Sequence, residues 1–153
     1  MIQKQIVENI ITEKIKDSSI FIVEIKIGSS NKIMVKADKP EGISIDECVE
    51  ISRHVESKLD RDIEDYELEV SSPGLTDPFK VHQQYQKNLN REVEVLDFDG
   101  TKAKGILTDV STQSITISTT VTEKINNKKE KKTVTVTIPF TDIKQTKLIL
   151  SFK

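Results

Sequence analysis

The 153-residue sequence has one cysteine, two histidines and no tryptophan. Cys48 alone excludes an internal disulfide and any cysteine cluster for zinc, which fits reducing surroundings. His54 and His82 are too few for the usual zinc triads without carboxylate help, so neither a metal nor a cofactor is expected. Five glycines and four prolines, with 31% charged and 35% hydrophobic residues, describe a folded chain rather than a disordered or fibrous one. Lys4, Glu8, Glu13, Lys14 and Lys16 interrupt the aliphatics of "MIQKQIVENIITEKIKD", so that segment has neither a signal-peptide core nor a membrane-spanning run. A cytoplasmic protein is expected.

The net charge of −2 argues against bulk electrostatic coating of nucleic acid. Its distribution is uneven. Residues 1–72 carry ten Lys/Arg against sixteen Asp/Glu, net −6, and residues 73–153 carry thirteen against nine, net +4. The division falls at "EVSSPGLTDPF", residues 69–79.

Ile2, Ile6 and Ile10, with Val7, Ile11 and Ile15, recur at helical spacing and predict an amphipathic first helix. "SIFIVEIKIGSSNKIMVKAD" reads as a hairpin around Gly28-Ser29-Ser30-Asn31. Ser44 with Glu47 three residues later is a capping-box pattern opening a helix, along which Cys48, Ser52, Val55 and Leu59 fall on one side. In "DYELEV", Tyr66, Leu68 and Val70 alternate with Glu67 and Glu69. The first half thus reads α-β-β-α-β. After Phe79–Leu89, a short helix or linker, five β-branched segments follow: "REVEVLDF", "KAKGILTDV", "SITIST", "TVTVTIPF" and "KLILSF". Short strands at this spacing predict a small SH3-like or Sm-like β-barrel. The expected fold is α+β: an α/β domain over 1–75, a linker with a short helix over 76–90, and the barrel over 91–153.

No enzyme site emerges. Pro73-Gly74 has the composition of a type II turn, with Pro fixing φ and Gly supplying positive φ. Ser71 and Ser72 lack the upstream glycine of a nucleophile elbow, so a hydrolase ranks third among the readings. Cys48 and His54 lie about 240° apart on a helix at 100° per residue, which separates them as a catalytic pair, and Cys48 reads as a small core residue. Glu67 and Glu69 read as the solvated face of a strand, available to a protein partner. Residues 122–132, "TEKINNKKEKK", read as an extended, mobile hairpin tip; Lys124, Lys128, Lys129, Lys131 and Lys132 outnumber Glu123 and Glu130 and are candidate RNA-phosphate contacts. The loop has no aromatic to stack on bases, and a solubilising role competes.

"ADKPEGISIDECVEISRHVESKLD" followed by "YELEVSSPGL" resembles the RimP family of ribosome maturation factors. The resemblance rests on Asp38, Gly42, Asp46, Glu47, Ser52 and Arg53 and on the turn motif Ser71, Ser72, Pro73, Gly74 and Leu75. It implies an α/β domain followed by an Sm-like barrel. It also implies a non-enzymatic factor, expected to be monomeric, that binds the immature small (30S) ribosomal subunit, with 16S rRNA and small-subunit ribosomal protein twelve as partners. Family members commonly read Gly-Leu-Asp-Arg-Pro-Leu where this chain has Gly74-Leu75-Thr76-Asp77-Pro78-Phe79, so no contact made by that arginine carries over. The alternative is an Sm-like RNA-binding module acting as an oligomer.

Overall fold

The computed structural model describes residues 1–150. The chain is α+β and divides into two compact units, Met1–Gly74 and Leu75–Lys153.

The first unit runs α1 (Lys4–Ile15), β1 (Phe21–Gly28), β2 (Lys32–Asp38), α2 (Ile45–Lys58) and β3 (Glu67–Ser71). The sheet order is β1-β2-β3, with β1 antiparallel and β3 parallel to β2. A parallel return needs a crossover, and α2 supplies it. Val7, Ile11 and Ile15 of α1 are buried with Ile51 and Val55 of α2 against Ile25, Ile33, Val35 and Ala37 of the sheet. Full burial of such side chains contributes about 1.5–3 kcal/mol each. Ile51 and Val55 carry the buried row of α2, whereas Cys48, expected in the core, is only half-buried. At 100° per residue Cys48 lies within about 20° of Val55, so its partial exposure comes from its place in the first turn of α2 rather than from its side of the helix.

The β1–β2 connection is a 3₁₀ turn over Ser29–Asn31, with Ser30 and Asn31 at φ 57° and 55°. Asn31 is buried because its side chain ties three segments together. Its Oδ1 accepts from the Ile2 N–H at 2.9 Å, and its Nδ2 donates to Glu64 Oε2 and the Asp65 carbonyl, both at 3.1 Å.

The second unit contains α3 (His82–Lys87), β4 (Glu92–Asp97), β5 (Lys102–Val110), β6 (Ser114–Ile125), β7 (Lys128–Pro139) and β8 (Ile143–Leu148). Its sheet order is β7-β6-β5-β4-β8. The expected barrel does not close: β7 and β8 are the two edges and do not pair. β8 pairs with β4, and the Thr146 carbonyl accepts instead from the Phe79 N–H at 2.8 Å. The segment expected as a linker therefore belongs to this unit's packing. Tyr85 is buried with Val93, Val95, Leu107, Ile115 and Ile117, donates to Thr146 Oγ1 at 2.8 Å, and meets Phe79 and Phe140 edge-on.

Two turn readings have different outcomes. Asp99-Gly100 does turn β4 into β5, with Gly100 at φ 92° and the Asp97 carboxylate accepting from the Asp99 and Thr101 N–H groups. Pro73-Gly74 does not form the expected type II turn. The hydrogen-bonded turn falls at Leu75–Thr76, and the glycines with positive φ are Gly42 and Gly100. Pro73 ends β3 because it has no N–H to continue a ladder. Ser151 and Phe152 of the last predicted strand lie outside the described residues.

Candidate functional site

The motif residues around α2 are mostly engaged in building the helix start. Gly42, at φ 93°, donates its N–H to the Lys39 carbonyl at 2.8 Å, a conformation that favours glycine. Ser44 caps α2: its Oγ accepts from the Glu47 N–H at 3.1 Å, and Glu47 Oε1 accepts from the Ser44 N–H at 3.0 Å. Lys39 then grips Glu47 Oε2 at 2.8 Å. The Lys39 hydrogen bond, followed by the Ser44 N–H, holds the Glu47 carboxyl below its ordinary pKa, and the same contact raises that of Lys39. Asp38 is buried, Arg53 and Asp46 are exposed, and Ser52 Oγ donates to Glu56 at 3.2 Å.

The two halves of the recognised pattern meet at one groove. Ile43, Ser44, Ile45, Cys48, Val49 and Ser52 from the start of α2 face Val70, Ser71 and Ser72 from the end of β3 across a cavity of about 320 Å³. No histidine lines it. Burial, then the negative charges of Glu47 and Asp38, push the Cys48 thiol up, which disfavours the thiolate a nucleophile needs. Ser71 and Ser72 have no base beside them in this groove, and among the described residues no three His, Cys, Asp or Glu side chains stand close enough to hold a metal. His54 is half-buried on α2, while His82 is in the second unit, its Nε2 2.9 Å from the Ser111 carbonyl. What the groove offers is apolar surface. Ile45 is 82% exposed and Val49 39%. The sequence reading missed both; the sign was an isoleucine placed directly after an N-cap serine, off the buried row.

Glu67 and Glu69 are exposed on β3, facing away from the helices, and make no ion pair among the described residues. Their surroundings are mixed rather than uniformly acidic. Lys32 lies opposite Glu67 and Met34 opposite Glu69, and Lys26 pairs with Glu24 at 2.9 Å on β1. The acidic pair occupies the β3 edge of that face.

The lysine tip is the end of a hairpin, as its sequence suggests, but its strands run on to Ile125 and Lys128. β6 and β7 stay in register from Ser114↔Pro139 to Ile125↔Lys128, joined by Asn126-Asn127 at φ 52° and 65°. Both central residues at positive φ fit a tight hairpin turn matched to the strand twist, and asparagine tolerates that conformation. Past the last β5–β6 pair, Ile106↔Ser118, the hairpin continues as a two-stranded ribbon of about 20 Å at 3.3 Å per residue. The pleat sorts the lysines. Lys124, Lys129 and Lys131 share a row with Thr116, Thr122, Thr133, Thr135 and Thr137 that contains no acidic residue, while Lys128 and Lys132 share theirs with Glu130. All five are exposed and make no ion pair among the described residues.

No helix among the described residues is long and apolar enough to cross a membrane. The sequence matches the RimP N-terminal domain family over residues 7–76. Curated relatives carry the similarity into the second unit. The ribosome maturation factor RimP of Porphyromonas gingivalis is 42% identical over 147 residues, 95% of this chain and 97% of the relative. The proteins of that name from Christiangramia forsetii and Cytophaga hutchinsonii are 34% and 33% identical, covering 90% and 89% of each chain in the pair.

Proposed function

Because this chain belongs to the RimP family of ribosome maturation factors, we propose that it binds the immature small (30S) ribosomal subunit and assists its assembly without catalysing a reaction. The observation that carries this reading is similarity over the length of both proteins, 42% identity across 95% of one and 97% of the other. A raised Cys48 pKa and a groove without a base at Ser71 and Ser72 support a binding role.

In this reading the two units are separate domains of a monomeric cytoplasmic protein, and the five-stranded sheet is an open variant of an Sm-like barrel. The ribbon contacts 16S rRNA phosphate through Lys124, Lys129 and Lys131, supported by the absence of acid from their row. Lys128 and Lys132, beside Glu130, contribute less. Glu67 and Glu69 meet a basic ribosomal protein, with small-subunit ribosomal protein twelve the candidate from family resemblance. The test is co-sedimentation of the purified chain with immature and mature small subunits. Preferential recovery with the immature particle is expected; equal recovery with both, or none, overturns the reading. The mass in solution should be that of one chain, whereas an oligomeric Sm-like module would give a multiple.

A further inference from the structure

We propose that the free edge of β3, together with the groove beside α2, takes an extended segment of a partner protein in which basic and apolar residues alternate, added as a fourth strand. The proposal deepens the assignment of Glu67 and Glu69 as a protein-contact site.

β3 pairs only with β2 among the described residues, so one side of its backbone offers hydrogen-bonding groups to an incoming strand. The groove is lined by the start of α2 with the two residues before it and by the end of β3 with Ser72, and by no residue of α1, β1 or β2, so it adjoins the edge strand rather than the middle of the sheet. A strand laid there projects successive side chains to opposite faces of the sheet. One set meets Ile45 and Val49, the uncovered apolar row of α2. The other set lies beside Glu67 and Glu69, which are exposed and without ion pairs among the described residues. Apolar residues suit the first set and lysine or arginine the second. Pro73 stops the ladder just beyond Ser71, so the segment held is short, on the order of five residues, the length of an ordinary strand. A second copy of this chain is the poorer occupant. Antiparallel pairing of two β3 edges would set Glu67 and Glu69 against the same glutamates, and like charges directly opposite are destabilising.

The full chain can be titrated by fluorescence anisotropy with a labelled Lys-Val-Lys-Val-Lys-Val-Lys peptide and with a block peptide of the same composition. The alternating peptide should bind about tenfold more tightly than the block peptide. Methylating its amide nitrogens at one alternate set of positions should abolish binding and at the other set should not, because only every second N–H of an edge strand faces its neighbour. Ile45→Ser with Val49→Ser should weaken binding about tenfold without moving the melting temperature, since both side chains are exposed. Equal affinity for both peptides, or tolerance of methylation in both registers, overturns the proposal, as does a dimer that competes with the peptide. Peptide binding that fails while co-sedimentation persists removes this inference alone; co-sedimentation that fails while peptide binding persists removes the ribosomal reading alone.

Discussion

The two compact units put their most prominent polar residues to different uses. In the first, polar side chains fasten segments to one another: Asn31 joins the chain start to residues 64 and 65, Ser44 and Glu47 close α2, and Arg61 donates to the Tyr66 carbonyl at 2.6 Å. In the second, the densest run of charge lies on a ribbon that no other strand flanks, with its lysines free of ion pairs among the described residues. The most recognisable residues of the sequence are therefore largely structural. The candidate binding residues are exposed charges without ion pairs among the described residues, on the β3 edge of the first unit and on the ribbon of the second. Satisfied charges cannot be offered to a partner without losing their internal contacts, whereas unpaired exposed ones can.

The largest expected effect tests whether the aromatic segment before β4 is core. Among the described residues the second cluster has six buried hydrophobic residues against eleven in the first, so each matters more. Tyr85→Ala should cost about 3–5 kcal/mol, the range for truncating a buried aromatic. Hydrogen exchange should locate the loss in residues 75–150. Equal loss in residues 1–74 would show that the two units do not act as separate domains. A smaller effect is expected in the first unit, where Ser44→Ala removes one capping bond and should cost about 1 kcal/mol by chemical denaturation. A cost near zero would show that Lys39 and Glu47 hold the helix start without the serine.

Much of the first unit was legible in the sequence because its signals are local. The 3.6-residue spacing of Val7, Ile11 and Ile15 and the Ser44/Glu47 pair each report on one element. The errors were of longer range. Pro73-Gly74 has turn composition, yet the turn falls at Leu75–Thr76, where no glycine marks it. Phe79 and Tyr85 look like linker residues until β8 brings Thr146 to them from sixty residues away. The hairpin tip is legible, but the sequence patterns of its strands stop at Thr119 and Thr133, because lysine is a poor strand former, whereas the strands run on to the Asn126-Asn127 turn. The split of the lysines between two faces needed the register, which only the paired strands define.

The pH dependence should distinguish fastened charges from free ones. Glu47 is held below the ordinary carboxylate pKa, so its contribution is present above that value and lost as pH falls through the depressed one. Lys39 is raised, so its contribution is present below the ordinary lysine value and lost only as pH rises through the raised one. At neutral pH both are in place. Acidification from about pH 5 to about pH 3 should therefore lower the melting temperature of the unmodified chain more than that of Glu47→Gln. Parallel curves would mean that the ion pair does not distinguish the folded from the unfolded chain.

The smallest effect on stability is expected from the ribbon, and there binding carries the information. Replacing Lys124, Lys129 and Lys131 together by glutamine should change stability by no more than about 0.5 kcal/mol, as for surface positions without partners. The same holds for Lys128 and Lys132. Binding to 16S rRNA should separate the two sets. If the acid-free row faces phosphate, the triple replacement removes the counterion release of three contacts and flattens the logarithmic salt dependence by roughly 2 units, at about 0.7–0.9 per contact. The double replacement should leave most of the slope, because Glu130 already offsets the field on that row. Equal flattening per lysine in both variants would mean that the ribbon attracts RNA by net charge alone. An unchanged slope in both would assign the ribbon a solubilising role and send the search for the RNA surface elsewhere on the second unit.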